Sequence, residues 1–464
     1  MRIKQPLSLQ GYFWLATRPE QKLPGTLKVS EIGRVDVEVL GAFGDVAEFE
    51  PKPTPLIHGL TENGKFVTLS DCFTYPTTLS FPGIPKSTAT AARLFLGVHF
   101  SETDTLAFDR VTFSIEGLDE WVGLTGISVS HDWDDHRLKA VTITFRPPAA
   151  QSHQLGDRID LSIQFRSSIP TGAGTVTEAK VTQAAFLEIN APEPKPLDDL
   201  LRIVHRVNTF LCLAIDEPVA LTGLSLSSSA ITERIGDKER PAEINLYFPS
   251  LPHPEKAPTV EQHRLLFPYG AVIQNLGDLL SRWLADYETL EPAFNLYFAS
   301  TTARHAYVET RFLFLTQGLE TFHRRTSTDT VMPEANFLTV RASLLSVCPQ
   351  QHLEWLKTRL AYANELSLRQ RLKALMAPIG EYFGDAAGVS GLINQLVTTR
   401  NYLTHYDKAS HQTALSGEAL LRLSTKLEAI FILIFLRRIG FSDDQLKQIA
   451  QGNRRVARKI RGEI

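Results

Sequence analysis

Within RNYLTH, residues 400–405, an arginine, an amide and an imidazole fall inside six positions. Arg400 offers a permanent planar cation shaped to clamp a phosphate. Asn401 both donates and accepts hydrogen bonds, and His405 is the side-chain type best suited to moving protons near neutral pH. Together they suffice, without a metal or other cofactor, to cleave RNA by letting a ribose 2′-hydroxyl attack its own phosphate. Their spacing sets a condition. Asn401 and His405, four apart, share a helical face, whereas Arg400 and His405, five apart, lie about 140° around an ideal helix. The latter two converge only if the helix ends or bends between them, and a helix stopping near residue 402 would let a short turn swing His405 back. On spacing alone the stretch also reads as a plain helix end with a capping histidine. Tyr402 and Tyr406 beside it could stack on a base or pack into a core.

Two other clusters invite the same question. The tail GNRRVARKIRGEI sets Arg454, Arg455, Arg458, Lys459 and Arg461 against one acid, Glu463. Such a strip could grip an RNA backbone or be a solvated terminus. In SHDWDDHR, His131, Asp132, Asp134, Asp135 and His136 surround Trp133, a set of carboxylates and imidazoles that could hold a divalent ion. The stretch falls between two strand-like runs, where an Asp-rich hairpin turn is expected and alternate residues point to opposite faces. The turn is therefore the expectation, and no metal site is assigned. Trp121, in LDEWVG, is read as core rather than as a recognition surface. The sequence has no Walker-type phosphate loop, no HExxH pair and no GxSxG elbow, which disfavours an NTPase, a zinc protease and an α/β-hydrolase.

The elements that must position these residues fall into two classes. A chain of 464 residues implies more than one domain, and a net charge of −3 gives no general attraction to nucleic acid, so any such binding has to be local. The three cysteines are far apart and form neither a disulfide framework nor a metal-ligand spacing. With no apolar run of membrane-spanning length and no secretory-type leader, a cytoplasmic location without a membrane anchor is expected. Up to about residue 190, short alternating runs such as VDVEVLG, RLFLGVHF, VTFSIEG and IDLSIQF are separated by turn residues. They predict an antiparallel β-rich domain over 1–190, sandwich or barrel-like. The amphipathic segment after APEPKP and two further strand-like runs make 191–295 an α+β extension or connector. Apolar-periodic segments at 303–325, 333–347, 351–375, 389–402 and 416–438 predict an all-α bundle over 300–464. The fold class is α+β, multidomain.

With the motif placed on a late helix of such a bundle, RNYLTH resembles the Arg-x4-His motif of the HEPN superfamily (higher eukaryotes and prokaryotes nucleotide-binding). The polar residue directly after the arginine is often seen there. The upstream RFLFLTQGLETFHRR resembles the early helix of ApeA-like HEPN domains, including its glutamate, Glu320. LQGYFWLA, LPGTLKVSEIGRVDVEVLGAFGD and FSIEGLDEWVG are similar to the β-rich domain that precedes HEPN in ApeA-like anti-phage proteins. The resemblance implies an abortive-infection effector: a metal-independent endoribonuclease, quiet until a phage-derived trigger arrives, that then cleaves RNA, with transfer RNA one substrate by family analogy. It implies a homodimer or higher homo-oligomer whose motifs face a shared groove, and an N-terminal region that senses or regulates. Arg400 would stabilise the phosphorane-like transition state, His405 act as acid or base, and Asn401 orient the phosphate or the histidine. Glu320 would hold Arg400, unless it only pairs with Arg324 at i,i+4. The competing readings are a HEPN-type module kept as a non-catalytic binding or dimerisation platform, and a metal-dependent enzyme built on His131 and its acidic neighbours.

Overall fold

In VDVEV, Val35, Val37 and Val39 are buried while Asp36 and Glu38 face outward, the period of a strand covering a core on one side. The same logic runs through β1 (Leu7–Leu15), β2 (Leu23–Val29), β3 (Val35–Leu40), β4 (Lys52–Thr61), β5 (Phe66–Thr74) and β6 (Lys86–Leu96). These strands pair antiparallel in the order β6, β3, β2, β1, β4, β5, and β5 returns to β6, closing a six-stranded barrel. Gly11 and Gly25 face each other between β1 and β2. A Cβ on them would come within 2.3 Å of the Leu60 carbonyl oxygen and 2.4 Å of the Glu38 carbonyl oxygen, so only glycine lets the strands approach this closely.

The computed structural model describes residues 1–44, 50–79, 82–156, 159–170, 177–235, 237–302, 307–406 and 411–463. Asp45 and residues 303–306, which belong to segments read above, lie outside them. The chain forms two compact units, Met1–Leu284 and Ala285–Ile464. Among the described residues no helix is long and apolar enough to cross a membrane.

In the first unit the sheet continues beyond the barrel through β7 (Ala107–Ile115), β10 (Gln151–Leu155), β11 (Ile159–Ser168), β12 (Thr182–Pro196), β13 (Leu221–Ser227) and β16 (Ile244–Tyr247). One edge of β6 serves both halves: Lys86 to Ala91 pair with β3, and Leu94 to Leu96 pair with β16. From there the order is β16, β13, β7, β12, β11, β10, so β13 and β16 are central strands of the sheet. Two short strands, β14 (Thr232–Ile235) and β15 (Lys238–Pro241), form their own hairpin. The short α1 (Leu118–Val122) buries Trp121, whose indole N–H donates to the Phe267 carbonyl at 3.1 Å. Next to the sheet, α2 (Leu197–Ile215) turns Leu200, Val204, Val207 and Leu211 inward.

The SHDWDDHR stretch forms the tip of a separate hairpin, β8 (Ile127–Asp134) and β9 (Arg137–Phe145). Asp135 and His136 both have positive φ, 42° and 64°, and make the two-residue turn closed by Asp134 and Arg137. Along β8 the alternation puts Asp132 and Asp134 on the face opposite His131 and Trp133. Val129, Trp133, Leu138, Val141 and Ile143 are all exposed on this hairpin, an apolar surface that the sequence reading did not single out.

The division between the units falls inside α3 (Leu276–Thr302). The second unit then contains α4 (Val308–Thr326), α5 (Glu334–Ser346), α6 (Leu353–Leu360), α7 (Leu368–Met376), α8 (Ala386–His405), α9 (Gly417–Ile439), α10 (Asp443–Gly452) and α11 (Arg454–Arg461). Its core is the seam between α4 and α9, where Phe312, Leu315, Leu319 and Phe322 meet Leu427, Phe431 and Phe435. Each such side chain contributes about 1.5–3 kcal/mol on leaving water. The helix expected over 351–375 is broken. Ser367 opens α7 with a capping box to Gln370, and Asn364 makes side-chain hydrogen bonds to both backbone groups of Met332, so 361–367 serve as a turn. The basic tail is helical rather than frayed: Val456 and Ile460 of α11 are buried in a helix that packs on α9.

Candidate active site

α8 starts with the Asp385 carboxylate accepting from the Gly388 N–H at 2.8 Å, and it buries Leu392, Ile393, Leu396, Thr399 and Leu403. That stripe leaves Arg400 at its margin, beside α4. The helix runs on to His405 and ends only where Tyr406 turns left-handed at φ 50°. This corrects the expected stop near residue 402. With Arg400 and His405 on one continuous helix, about 140° separates them; His405 is exposed at the helix end, and the turn that would swing it back does not exist.

What the fold does assemble is an anchored arginine. Arg400 Nη1 donates to Asn401 Oδ1 at 3.2 Å, and Nη2 donates to Glu320 Oε2 at 3.4 Å. The other carboxylate oxygen of Glu320 accepts from Arg324 at 3.2 Å, so Glu320 makes both of the contacts weighed from the sequence. Arg324 also reaches Glu365 at 2.5 Å, which holds its guanidinium above its ordinary pKa. Glu365 lies 3.7 Å from the buried Arg371, whose Nη1 contacts His323 Nδ1 at 3.3 Å. Burial and then the Arg371 charge push His323 below the ordinary imidazole value.

Arg324 and Arg400 border a cavity of about 460 Å³, lined from α4 by Leu313, Gln317, Glu320, Thr321 and Arg324 and from α8 by Arg400 and Thr404. Gln317, Glu320, Thr321 and Arg324 recur at i, i+3, i+4 and i+7. That spacing is readable in the sequence, yet only Glu320 was picked out as a site residue. Tyr402 and Tyr406 make an edge-to-face pair at 5.4 Å, and Tyr402 packs likewise against His411. Tyr406 is exposed rather than core.

The remaining candidates lie elsewhere. Among the described residues no group of three or more His, Cys, Asp or Glu is placed to hold a metal. Burial pushes the thiols of Cys72 and Cys212 up to about 12, leaving them unreactive. On α11, Arg461 pairs with Glu463 and Lys459 lies 3.7 Å from Glu428, a buried carboxylate that also binds Arg311 of α4. Part of the basic strip therefore fastens the bundle.

Two family models match the chain: ApeA N-terminal domain 1 over residues 8–283, and Apea-like HEPN over residues 313–445. The chain belongs to the ApeA-like HEPN family. No curated protein and no solved structure gives a match. The HEPN segment contains Glu320, Arg324 and Arg400 to His405, whereas Arg454 to Arg461 lie beyond it. HEPN domains are usually ribonuclease domains and often act as RNA-binding dimers, so the family setting is of nuclease or defence type.

Proposed function

We propose that this ApeA-like HEPN protein is a metal-independent endoribonuclease of anti-phage defence, with its β-rich unit as sensor or regulator. The observation that carries the reading is the guanidinium of Arg400, oriented by Glu320 and Asn401 at the rim of a cavity inside the HEPN segment. In the reaction a ribose 2′-oxygen bonds to the adjacent phosphorus and the 5′-oxygen leaves. The products are a 2′,3′-cyclic phosphate and a 5′-hydroxyl; one proton leaves the 2′-hydroxyl and one is delivered to the 5′-oxygen. Arg400 stabilises the charge that builds on the phosphorane oxygens, Asn401 and Glu320 fix its fork, and His405 carries a proton. Because His405 diverges from Arg400 on its own helix, a second copy supplying the histidine suits the chemistry, and a homodimer is part of the proposal.

The same divergence is the observation that favours the second reading, a HEPN-type platform that binds or dimerises without cleaving. The experiment is RNA cleavage by the full-length protein in EDTA, with transfer RNA as first substrate and the ends mapped. Arg400→Ala and His405→Ala are each expected to lower the rate by about 10²-fold or more with the fold intact. Equal cleavage by native and variant proteins would remove the site. No cleavage by the native protein, even in extract of phage-infected cells, favours the platform.

A further inference from the structure

Arg400 does not face the cavity alone. Arg324 lines it from α4, and the two guanidinium groups take different oxygens of the single Glu320 carboxylate, at 3.2 and 3.4 Å. Their separation is therefore bounded by two hydrogen bonds and the width of one carboxylate, a span within reach of consecutive phosphates in a single strand. Among the groups joined by these ion pairs the balance is positive: Arg324, Arg371 and Arg400 against Glu320 and Glu365 leave three minus two, or one positive charge. Arg371 cannot deliver it, since its side chain is 5% exposed and is engaged with the Leu366 carbonyl and His323. Arg324 and Arg400 can, with side chains 44% and 32% exposed. Arg324 also keeps donors in hand. Its Nε and Nη2 contact Glu320 and its Nη1 contacts Glu365, which leaves a second N–H on each terminal nitrogen.

We propose that Arg324 is a second phosphate-binding residue, taking the phosphodiester next to the one on Arg400, so that the cavity grips two consecutive RNA phosphates. The proposal builds on the ribonuclease reading above and extends its substrate to a stretch of single strand. Glu320 then spaces the two cations, and Glu365 orients Arg324 while tempering its charge. The arrangement differs from a plain i,i+4 surface pair because Arg324 and Arg400 share one carboxylate and one cavity.

The test uses full-length protein and a single-stranded, mixed-sequence 2′-O-methyl oligonucleotide, which lacks the nucleophile and cannot be cleaved by this chemistry. Binding is followed by fluorescence anisotropy across a salt series. Arg324→Gln is expected to make the slope of log affinity against log salt shallower by about 0.7, the value for one single-strand phosphate contact. It should leave binding of a dinucleoside monophosphate, which has one phosphate, unchanged. Glu365→Gln, which releases Arg324 from a counter-charge, should tighten binding of the oligonucleotide. A slope for Arg324→Gln equal to the native one overturns the proposal, as does native protein that shows no salt-dependent binding. Loss of cleavage alone with the slope intact would make Arg324 a positioning residue for Glu320. Native protein that binds with the expected slopes yet never cleaves would sink the ribonuclease reading and leave this one standing.

Discussion

At Arg371 the polar cluster meets a buried histidine. His323 is 3% exposed, and its Nδ1 lies 3.3 Å from a guanidinium nitrogen, an arrangement that needs the ring neutral, with Nδ1 as acceptor. Burial, Arg371 and, more weakly, Arg324 oppose protonation, and only Asp329 favours it. An unfolded imidazole takes up its proton near the ordinary 6.5, while folded His323 resists until the pH falls further. Between those two values the unfolded state binds more protons, so stability drops as pH falls; above 6.5 the residue contributes no slope. His323→Asn keeps an acceptor near the Nδ1 position and removes the titration. Thermal unfolding of the full-length variant should therefore lose less stability than the native protein between pH 7 and 5. Parallel pH profiles for the two would show that His323 takes up its proton in the fold as readily as in the unfolded chain.

Among the elements, α4 carries one wall of the cavity and a closely packed glycine. A Cβ on Gly318 would lie 2.8 Å from the end of the Phe431 ring and 3.4 Å from Leu296 Cβ. Phe431 cannot yield easily, being fully buried against Tyr297 and Phe435. Gly318→Ala should thus lose stability: overpacking of about 1–3 kcal/mol outweighs the gain of about 1 kcal/mol in helix propensity. Gly391→Ala in α8, where a Cβ meets nothing within 4 Å, should gain up to about 1 kcal/mol. Calorimetry of the two variants checks the opposite signs, and a stabilised Gly318→Ala would mean that the seam is looser than its distances. What was legible in the sequence follows from the same local rules. The alternation of Val35 to Val39 and the wide apolar stripe of α9 announce their elements, and Glu320 and Arg400, weighed as partners in the sequence, meet at the cavity rim. Barrel closure was not legible in detail, because β6 pairs with residues far from it in sequence, Val35 with Ala91 at a separation of 56 and Thr74 with Ala89 at a separation of 15, and no local pattern encodes such partners. Nor was the helix limit: nothing between Tyr402 and His405 breaks a helix, and burial of Leu403 carries α8 to its end.

For the whole molecule, that helix limit bears on the proposed homodimer. If α8 ended at residue 402, one copy could bring Arg400 and His405 to a single phosphate. Because it runs to His405, the two face apart by about 140°, and a site that uses both draws them most simply from two copies related by a two-fold axis. Dilution below the dimerisation constant should then abolish cleavage. A sharper experiment mixes two inactive proteins, Arg400→Ala and His405→Ala. In the mixed dimer one shared site lacks both groups and the other has both intact, whereas sites built within one copy would all be defective. Statistical mixing makes half the dimers mixed, each with one good site of two, so the mixture should recover about a quarter of native activity. Recovery of that size, disappearing on dilution, is expected if the catalytic pair spans two chains. Cleavage that is linear in native protein at all concentrations, with no recovery on mixing, would place both residues within one copy and require α8 to bend in the active state.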